Sequence, residues 1–184
     1  MEWAKLKWTK NAKEHWNEMA LHSATAQHTF YNVAPAIGVD PGKNFGLATL
    51  SPYPNDKLGG MMLTTWWSSF PSQEHDYDYF GIVADFVEDW FPKVHPSKVA
   101  IIEGAAYGTH FKREYLEDIR LGFLQAFKAL GKEVSYISPL SARKQVFGSG
   151  KIKASELFLQ INKNGADASC IALCAAGYEY AIDK

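Results

Sequence analysis

The sequence predicts an α/β fold with a mixed sheet, on three observations. Three strand patterns with short links come first, which is typical of an antiparallel meander. Strand patterns then alternate with helical periodicity, as in units that build parallel sheets. At 184 residues, the chain is long enough for one full hydrophobic core, so a single domain is expected after an N-terminal arm.

Strand patterns occupy the first half of the predicted core. We expect strands at residues 36–40, 45–50 and 61–67. The first ends where Pro41-Gly42 opens a tight turn, and a loop rich in Pro, Asn and Gly separates the second from the third. These links predict three antiparallel neighbours.

Helical periodicity begins in the middle of the chain. Residues 79–91 carry apolar side chains three and four positions apart, and Pro92 ends that helix. The continuous apolar run within 98–102 is expected for a strand that is buried on both faces. The remaining predicted elements are a helix over 112–130, a strand over 133–137, a short helix over 141–147, a Gly148-Ser149-Gly150 turn and helical stretches to the C-terminus. The predicted order is βββαβαβαα.

Residues 1–30 are predicted to form a polar and aromatic arm before the sheet. The arm carries four lysines together with Trp3, Trp8 and Trp16, and a helix is expected over 11–26. Packing or dimer contacts are the favoured role for this arm. Contact with DNA through its Lys and Trp side chains is the alternative.

The charges are segregated along the chain, although the formal net charge is only -1. Residues 71–100 carry six acids and two lysines, whereas residues 112–163 carry ten bases and five acids. An excess of positive charge in the second region is expected of a protein surface that binds phosphates. A solvated helix surface gives the same pattern, so charge alone leaves both interpretations open.

Two cysteines, Cys170 and Cys174, are expected to share one face of the last helix. No other residues with zinc-site spacing accompany them, so we expect small, buried, reduced side chains. The N-terminus lacks the apolar segment of a secretory signal, and no apolar run is long enough to cross a bilayer. A cytoplasmic protein is expected, in the host cytoplasm if a phage encodes it.

Two predicted strands end on a carboxylate that is followed by a turn. Asp40 precedes Pro41-Gly42, and Glu103 precedes Gly104. If these strands are parallel neighbours, their carboxyl ends bring both acids to one edge of the sheet. Asp167, expected to begin the final apolar helix, is the candidate third acid. Each acid alone has an ordinary explanation, as part of a turn, a strand end or the start of a helix.

The order of these motifs resembles that of RuvC-type Holliday junction resolvases, over roughly residues 36–177. The segments that carry the resemblance are Gly38-Val39-Asp40-Pro41-Gly42, Ile101-Ile102-Glu103, the basic run from Arg143 to Lys151 with its Gly-x-Gly turn, and Asp167-Ala168-Ser169-Cys170-Ile171-Ala172. The resemblance implies a ribonuclease H-like fold: a five-stranded mixed sheet, three strands antiparallel and the rest parallel, flanked by helices. Residues 34–184 would form this nuclease domain, and residues 1–33 a helical N-terminal extension.

The resemblance also implies a function. The expected activity is Mg²⁺-dependent hydrolysis of phosphodiesters by a homodimer that makes paired nicks in branched DNA, at a four-way junction. The implied metal ligands are Asp40, Glu103 and Asp167, joined by Asn164, which stands where the family has Asp or His. Lys144, or Arg143 beside it, takes the place of a basic catalytic residue. The implied DNA-binding residues are Tyr107, Arg143, Lys144, Ser149, Lys151 and Lys153, and the Tyr107 ring would stack on opened bases.

General chemistry leads to the same cofactor. Phosphodiester hydrolysis needs an activated water and stabilisation of charge on the leaving oxygen, which two Mg²⁺ ions about 3.5 to 4 Å apart provide together. Mg²⁺ takes oxygen ligands, and carboxylates supply them. We expect two ions in each active site, with Mn²⁺ as a substitute.

Other functions are consistent with the same residues. A nuclease of this fold that acts on flaps, forks, single strands or RNA-DNA hybrids is one alternative, and a catalytically weakened protein that binds branched DNA is another. The uncharged Asn164 and the additional N-terminal arm favour the first of these alternatives. Sugar-kinase and actin-like ATPases also begin with an Asp-x-Gly strand end, but they need a second duplicated domain, for which this chain has no room.

Overall fold

A six-stranded sheet with helices on both faces forms the structure, a computed structural model that describes residues 21–70, 79–90, 99–103 and 113–180. The strands are β1 (His22–Phe30), β2 (Ala36–Asp40), β3 (Asn44–Pro52), β4 (Met61–Ser69), β5 (Val99–Glu103) and β6 (Glu133–Ile137). The helices are α1 (Tyr79–Trp90), α2 (Arg113–Ala129), α3 (Pro139–Phe147), α4 (Ala154–Leu157) and α5 (Lys163–Ala175).

The strands are arranged in the order β1-β4-β3-β2-β5-β6. The first four in this order are antiparallel neighbours, whereas β2, β5 and β6 are parallel. The mixed α/β class is therefore confirmed, and the strands predicted from residue 36 onward begin and end close to their observed bounds. The predicted count of five strands is wrong, because β1 adds a sixth strand beside β4.

The helix predicted over 11–26 is wrong in the part that the structure describes. From His22 the chain is a strand that pairs with β4, starting at Trp67 and ending at Met61, with an irregularity between Thr25 and Thr29. The edge of β4 offers unpaired main-chain hydrogen-bond donors and acceptors. Pairing with them stabilises a strand here more than the local helix propensity stabilises a helix. Residues 11–20 lie outside the described ranges.

Alternating side chains of the sheet enter two separate cores. Ile37 and Val39 of β2 pack in the core under α1 and α2, together with Phe45, Phe86 and Phe123. The opposite face packs against α3 and α5 in a second core, whose main members are Ala36, Leu50, Leu63, Val146, Ala168, Ile171 and Ala172. Because successive residues of a strand face opposite sides, β2 presents its even-numbered residues to α5.

The last helix carries both cysteines on its buried side. Cys170 and Cys174 are buried and form no disulfide, as predicted. Cys174 is held against α3, because Gln145 Nε2 donates to its carbonyl oxygen at 3.2 Å and the Cys174 thiol donates to Gln145 Oε1 at 3.1 Å. Across the described ranges, no helix is both long enough and apolar enough to cross a membrane.

Candidate active site

Asp40 and Glu103 occupy neighbouring positions at one edge of the sheet. Val39 of β2 pairs with Ile102 of β5 in a parallel register, so the next residue of each strand is an acid. Adjacent strands lie about 4.8 Å apart, which places the two backbones side by side. The main chain therefore has the arrangement that the strand-end pattern predicts. The side chain of Glu103 lies outside the described part of the structure.

The helix α5 crosses this edge in close contact with the sheet. At Gly38, an added Cβ would lie 2.9 Å from Ala172 Cα and nearer still to the Ala168 carbonyl oxygen. The absence of a side chain lets the helix backbone rest directly on β2. Asp40, two residues further along β2, faces the same helix and is partly buried.

Asp167 lies on this helix, directly before the Ala168 contact with Gly38. The prediction that Asp167 begins the helix is wrong, because α5 begins at Lys163 and its N-cap is Asn162. The Asn162 Oδ1 accepts a hydrogen bond from Gly165 N at 2.8 Å. Because the cap is at Asn162, α5 begins about one turn before Asp167. Asp167 therefore lies inside the helix, next to the point where Ala168 contacts β2.

A buried hydrogen-bond chain fixes this part of α5 to β4. Ser169 Oγ donates to the carbonyl oxygen of Gly165 at 2.8 Å and lies 2.7 Å from Thr65 Oγ1. Since the Ser169 hydrogen is used on Gly165, the Thr65 hydroxyl is the donor in the second bond. Asp167 is held between Gly165 and Ser169, so its position is set by the packing of the helix.

Burial raises the pKa of the Asp167 carboxyl above its ordinary value of 3.8. The positive charges of Lys163 and Arg143 act in the opposite direction and only partly offset this effect. A half-buried carboxylate in this state gains from a nearby cation, because the cation stabilises the charged form. A cation bound near Asp167 would therefore lower its pKa again.

Asn164 reaches the same edge from the first turn of α5. Its backbone carbonyl packs against Gly46 of β3, and Gly46 pairs with Asp40. The structure thus places Asn164 beside Asp40. Its side chain is an amide, which offers a neutral oxygen to a cation and no charge.

The basic residues of α3 divide into two groups. Arg143 is partly buried, its Nε donates to the Pro139 carbonyl oxygen at 3.1 Å, and its charge acts on Asp167. Lys144 is exposed, and it is not among the charges that act on Asp167. Of these two residues, Arg143 is therefore the one whose charge acts on Asp167.

The turn after α3 carries the remaining basic candidates. Gly148 adopts the left-handed conformation, with φ of 74°, and ends the helix. Ser149 Oγ accepts from Lys151 N at 3.3 Å, and both Lys151 and Lys153 are exposed. No described contact links these lysines to Asp40 or Asp167. Tyr107, the predicted stacking residue, lies outside the described ranges.

Three residues at this edge were missed by the sequence analysis. Lys163 lies four positions before Asp167 in α5, and its charge lowers the pKa of Asp167. This spacing puts both residues on one helix face and could have been recognised in the sequence. Trp67 and His22 line a cleft that also borders Asn164. No local pattern marks Trp67 and His22, because the pairing of β1 with β4 brings them together.

Solved structures with the same fold were found. Thermus thermophilus RuvC matches with a TM-score of 0.56 and 18% sequence identity, and the match covers 76% of this chain and 92% of that chain. This chain has a RuvC-like fold. T. thermophilus RuvC in complex with Holliday junction substrate matches with a TM-score of 0.58 and 19% identity, covering 78% of this chain and 93% of that chain. No protein-family model and no curated protein sequence matches the chain.

Residues with oxygen-donor side chains lie near one another along the main chain at this edge of the sheet. Asp40 lies two residues beyond Gly38 on β2, Asp167 precedes the Ala168 that contacts Gly38, and the Asn164 backbone contacts Gly46, the partner of Asp40. Among the residues whose side chains are described, no three His, Cys, Asp or Glu residues form a metal-binding group. Carboxylate and amide oxygens are the donor type that a hard cation such as Mg²⁺ takes, so the residue types at this edge are compatible with one.

Proposed function

We propose that this protein is a divalent-metal-dependent endonuclease that nicks branched DNA and resolves four-way junctions by paired cuts. One observation carries the proposal: Asp40 and Glu103 end adjacent parallel strands of a RuvC-like fold, and α5 brings Asp167 to the same edge. An arrangement of acids at the carboxyl ends of parallel strands is a usual position for a catalytic site in α/β proteins.

The acids would hold the metal. Asp40, Glu103 and Asp167 are the proposed ligands of Mg²⁺, with two ions in each site and Mn²⁺ as a substitute. Asn164 would add its amide oxygen. Bound ions of this kind lower the pKa of water and stabilise negative charge on the attacking and leaving oxygens.

The chain's own residues would position the DNA around this site. Arg143 lies close enough to act on Asp167, so we propose Arg143 as the cation that contacts the cleaved strand, in the role predicted for Lys144. Lys144, Lys151 and Lys153 are exposed, and they would contact backbone phosphates. The turn with Ser149 would bring main-chain amides to a phosphate.

A homodimer is part of the proposal, because two symmetric cuts require two active sites and each chain has one acidic set. Tyr107 remains the proposed stacking residue for opened bases at the junction centre. Branched DNA arises in the cytoplasm of bacteria, so we propose a cytoplasmic location, in the host if the source is a phage.

A cleavage panel tests the proposal. The wild-type protein is incubated with Mg²⁺ and four-way junction, fork, flap, duplex and RNA-DNA hybrid substrates. Asp40→Asn should lower the rate at least roughly a hundredfold and leave junction binding intact, because it removes a metal ligand and keeps the fold. Asp118→Asn is the matched control, since Asp118 is exposed on α2, across the sheet from α5. Undiminished nicking by Asp40→Asn would refute the assignment.

A second candidate rests on Asn164, which lies beside Asp40 and carries no charge. The chain would then bind branched DNA and cleave it weakly, or prefer another substrate of the panel. In that case Asn164→Asp should raise the Mg²⁺-dependent cleavage rate, because it adds a charged ligand. A lower rate in Asn164→Asp would mean that the amide itself serves the reaction.

A further inference from the structure

A cleft lies beside the acidic edge, on the side of the added strand β1. Its volume is about 470 Å³, and its lining residues come from β1, β4, the start of β3 and the start of α5. The lining residues are His22, Asn44, Trp67, Ser68, Ser69, Asn162 and Asn164. The cleft is therefore built partly by a strand that the resemblance did not include.

The strand register fixes how far this cleft lies from Asp40. His22 pairs with Trp67, Trp67 pairs with Gly46, and Gly46 pairs with Asp40. At about 4.8 Å between strands, Trp67 lies roughly 10 Å from Asp40. A strand of B-form DNA advances about 3.4 Å per nucleotide, so the cleft is roughly three nucleotides from the acids.

Two aromatic rings form one wall of the cleft. The rings of His22 and Trp67 are inclined by 17°, with centroids 5.9 Å apart. This distance lies within the range of aromatic pairs and is longer than that of two directly superposed rings, whose planes would lie about 3.5 Å apart. Neither ring covers the other completely, and a planar group can stack beside them.

The rest of the lining is polar and uncharged. Ser69 Oγ donates to Asn44 Oδ1 at 2.6 Å, which fixes the orientation of the Asn44 amide. Asn162 is fixed in the same way by its cap bond to Gly165 N. No Lys or Arg is among the described lining residues, so the cleft does not have the chemistry of a phosphate site.

We propose that this cleft is a nucleobase subsite, in which one unpaired base of the bound DNA strand stacks on Trp67 and His22. The amides of Asn44 and Asn162 would contact the edge of that base, since an amide offers both a donor and an acceptor. Stacking platforms of this kind hold single-stranded DNA with little sequence preference. The inference rests on the proposed nuclease function and adds a contact on the β1 side of the acids.

Abasic substitution tests the subsite directly. Four-way junctions carry one abasic residue, placed in turn at each position near the nick, and Kd is measured in EDTA for wild type and Trp67→Ala. At one position, roughly three nucleotides from the nick, base removal should weaken wild-type binding roughly 5- to 150-fold. The same abasic residue should change the Kd of Trp67→Ala little, because that variant has already lost the stacking contact.

The controls separate the subsite from the fold. Trp67→Phe should retain a large part of the effect, because it keeps a ring. Since Trp67 also packs against Gly165, the exposed residue His22 gives a second test through His22→Ala. His28→Ala is its matched control, because His28 is an exposed histidine of the same strand outside the cleft lining.

The outcomes distinguish this inference from the proposed function. In one outcome, the wild-type protein binds and cleaves the junction while wild type, Trp67→Ala and His22→Ala all give the same abasic profile. That result would overturn the subsite and leave the nuclease proposal standing. Failure of the wild-type protein to bind any branched DNA would overturn both. A loss of the position-specific effect in Trp67→Ala and His22→Ala, but not in His28→Ala, would establish the subsite.

Discussion

The close contact between α5 and β2 should control the active site, and Gly38→Ala tests this. The added Cβ would lie 2.9 Å from Ala172 Cα and closer to Ala168 O and Ala172 N, whereas ordinary van der Waals contact begins near 3.4 Å. All three neighbouring atoms belong to the helix backbone, so no side chain can move aside. The helix must move away from the sheet by roughly 1 Å.

The expected cost can be estimated from this displacement. Overpacking a tight core costs roughly 1 to 3 kcal/mol, and a clash with backbone belongs at the upper end. For a chain of this size, roughly 3 kcal/mol lowers Tm by roughly 6 to 12 °C. Because Asp167 moves with α5 while Asp40 stays on β2, cleavage should fall roughly a hundredfold, the usual effect of a 1 Å misplacement.

Two measurements follow the variant: thermal unfolding, and junction cleavage with Mg²⁺ well below the Tm. Gly131→Ala is the control, because Gly131 has φ of 73° and open space around its Cα. Alanine there costs roughly 1 to 2 kcal/mol through backbone strain. Gly131 precedes β6 and lies at the amino-terminal ends of the parallel strands, whereas Asp40 lies at the carboxyl-terminal end of β2. Gly131→Ala should therefore lose stability and keep its cleavage rate.

Two results would refute this reasoning. If Gly38→Ala unfolds at the wild-type temperature, the contact is not tight. If it is destabilised but cleaves normally, the contact does not set the distance between the acids. Ala172→Gly in the Gly38→Ala background should give no rescue, because the obstructing atoms are main chain.

Three further predictions concern the same helix. Asp167→Asn should abolish cleavage and raise Tm at pH 7 in EDTA, because burial raises the pKa of Asp167 and ionisation then opposes folding; the gain should disappear as pH falls to 3.8, and a lower Tm at pH 7 would contradict it. Thr65→Val should cost roughly 1 kcal/mol, or roughly 2 to 4 °C in Tm, because it removes the buried bond to Ser169; a neutral effect would show that the bond contributes nothing. Cys170 and Cys174 should react with a thiol reagent at least roughly tenfold slower in the folded protein than in denaturant, since both are buried and burial raises the pKa of Cys174; equal rates would indicate local opening.

The sheet was largely predictable from sequence, because its strands follow simple rules. β2 and β5 are short apolar runs that are bounded by turns, and β3 and β4 are separated by a loop of strong breakers. The strand β1 was not predictable in the same way. Its residues alternate weakly between exposed and partly buried positions, and only the edge of β4 makes a strand favourable there.

The candidate site was predictable where it depends on strand order and not where it depends on helix packing. Asp40 and Glu103 follow from parallel strands that end together. The location of Asp167 depends on Asn162, which starts the helix one turn earlier than the apolar pattern does. The proposal that Arg143 takes the basic role depends on its charge acting on Asp167, which adjacent positions in a sequence do not reveal.

The features that place Asp167 also account for its unfavourable electrostatics. Gly38 and Gly46 remove side chains from β2 and β3 at the two points where α5 touches them, so the helix lies closer than side chains would allow. This approach carries Asp167 toward Asp40 and takes its carboxylate partly out of water, which raises its pKa. A purely structural helix would have no reason to keep an acid at that position, because the cost of desolvation would oppose folding. The proposed cation between β2 and α5 would offset the cost, and the proposal would then give the glycines and the half-buried acid one common explanation.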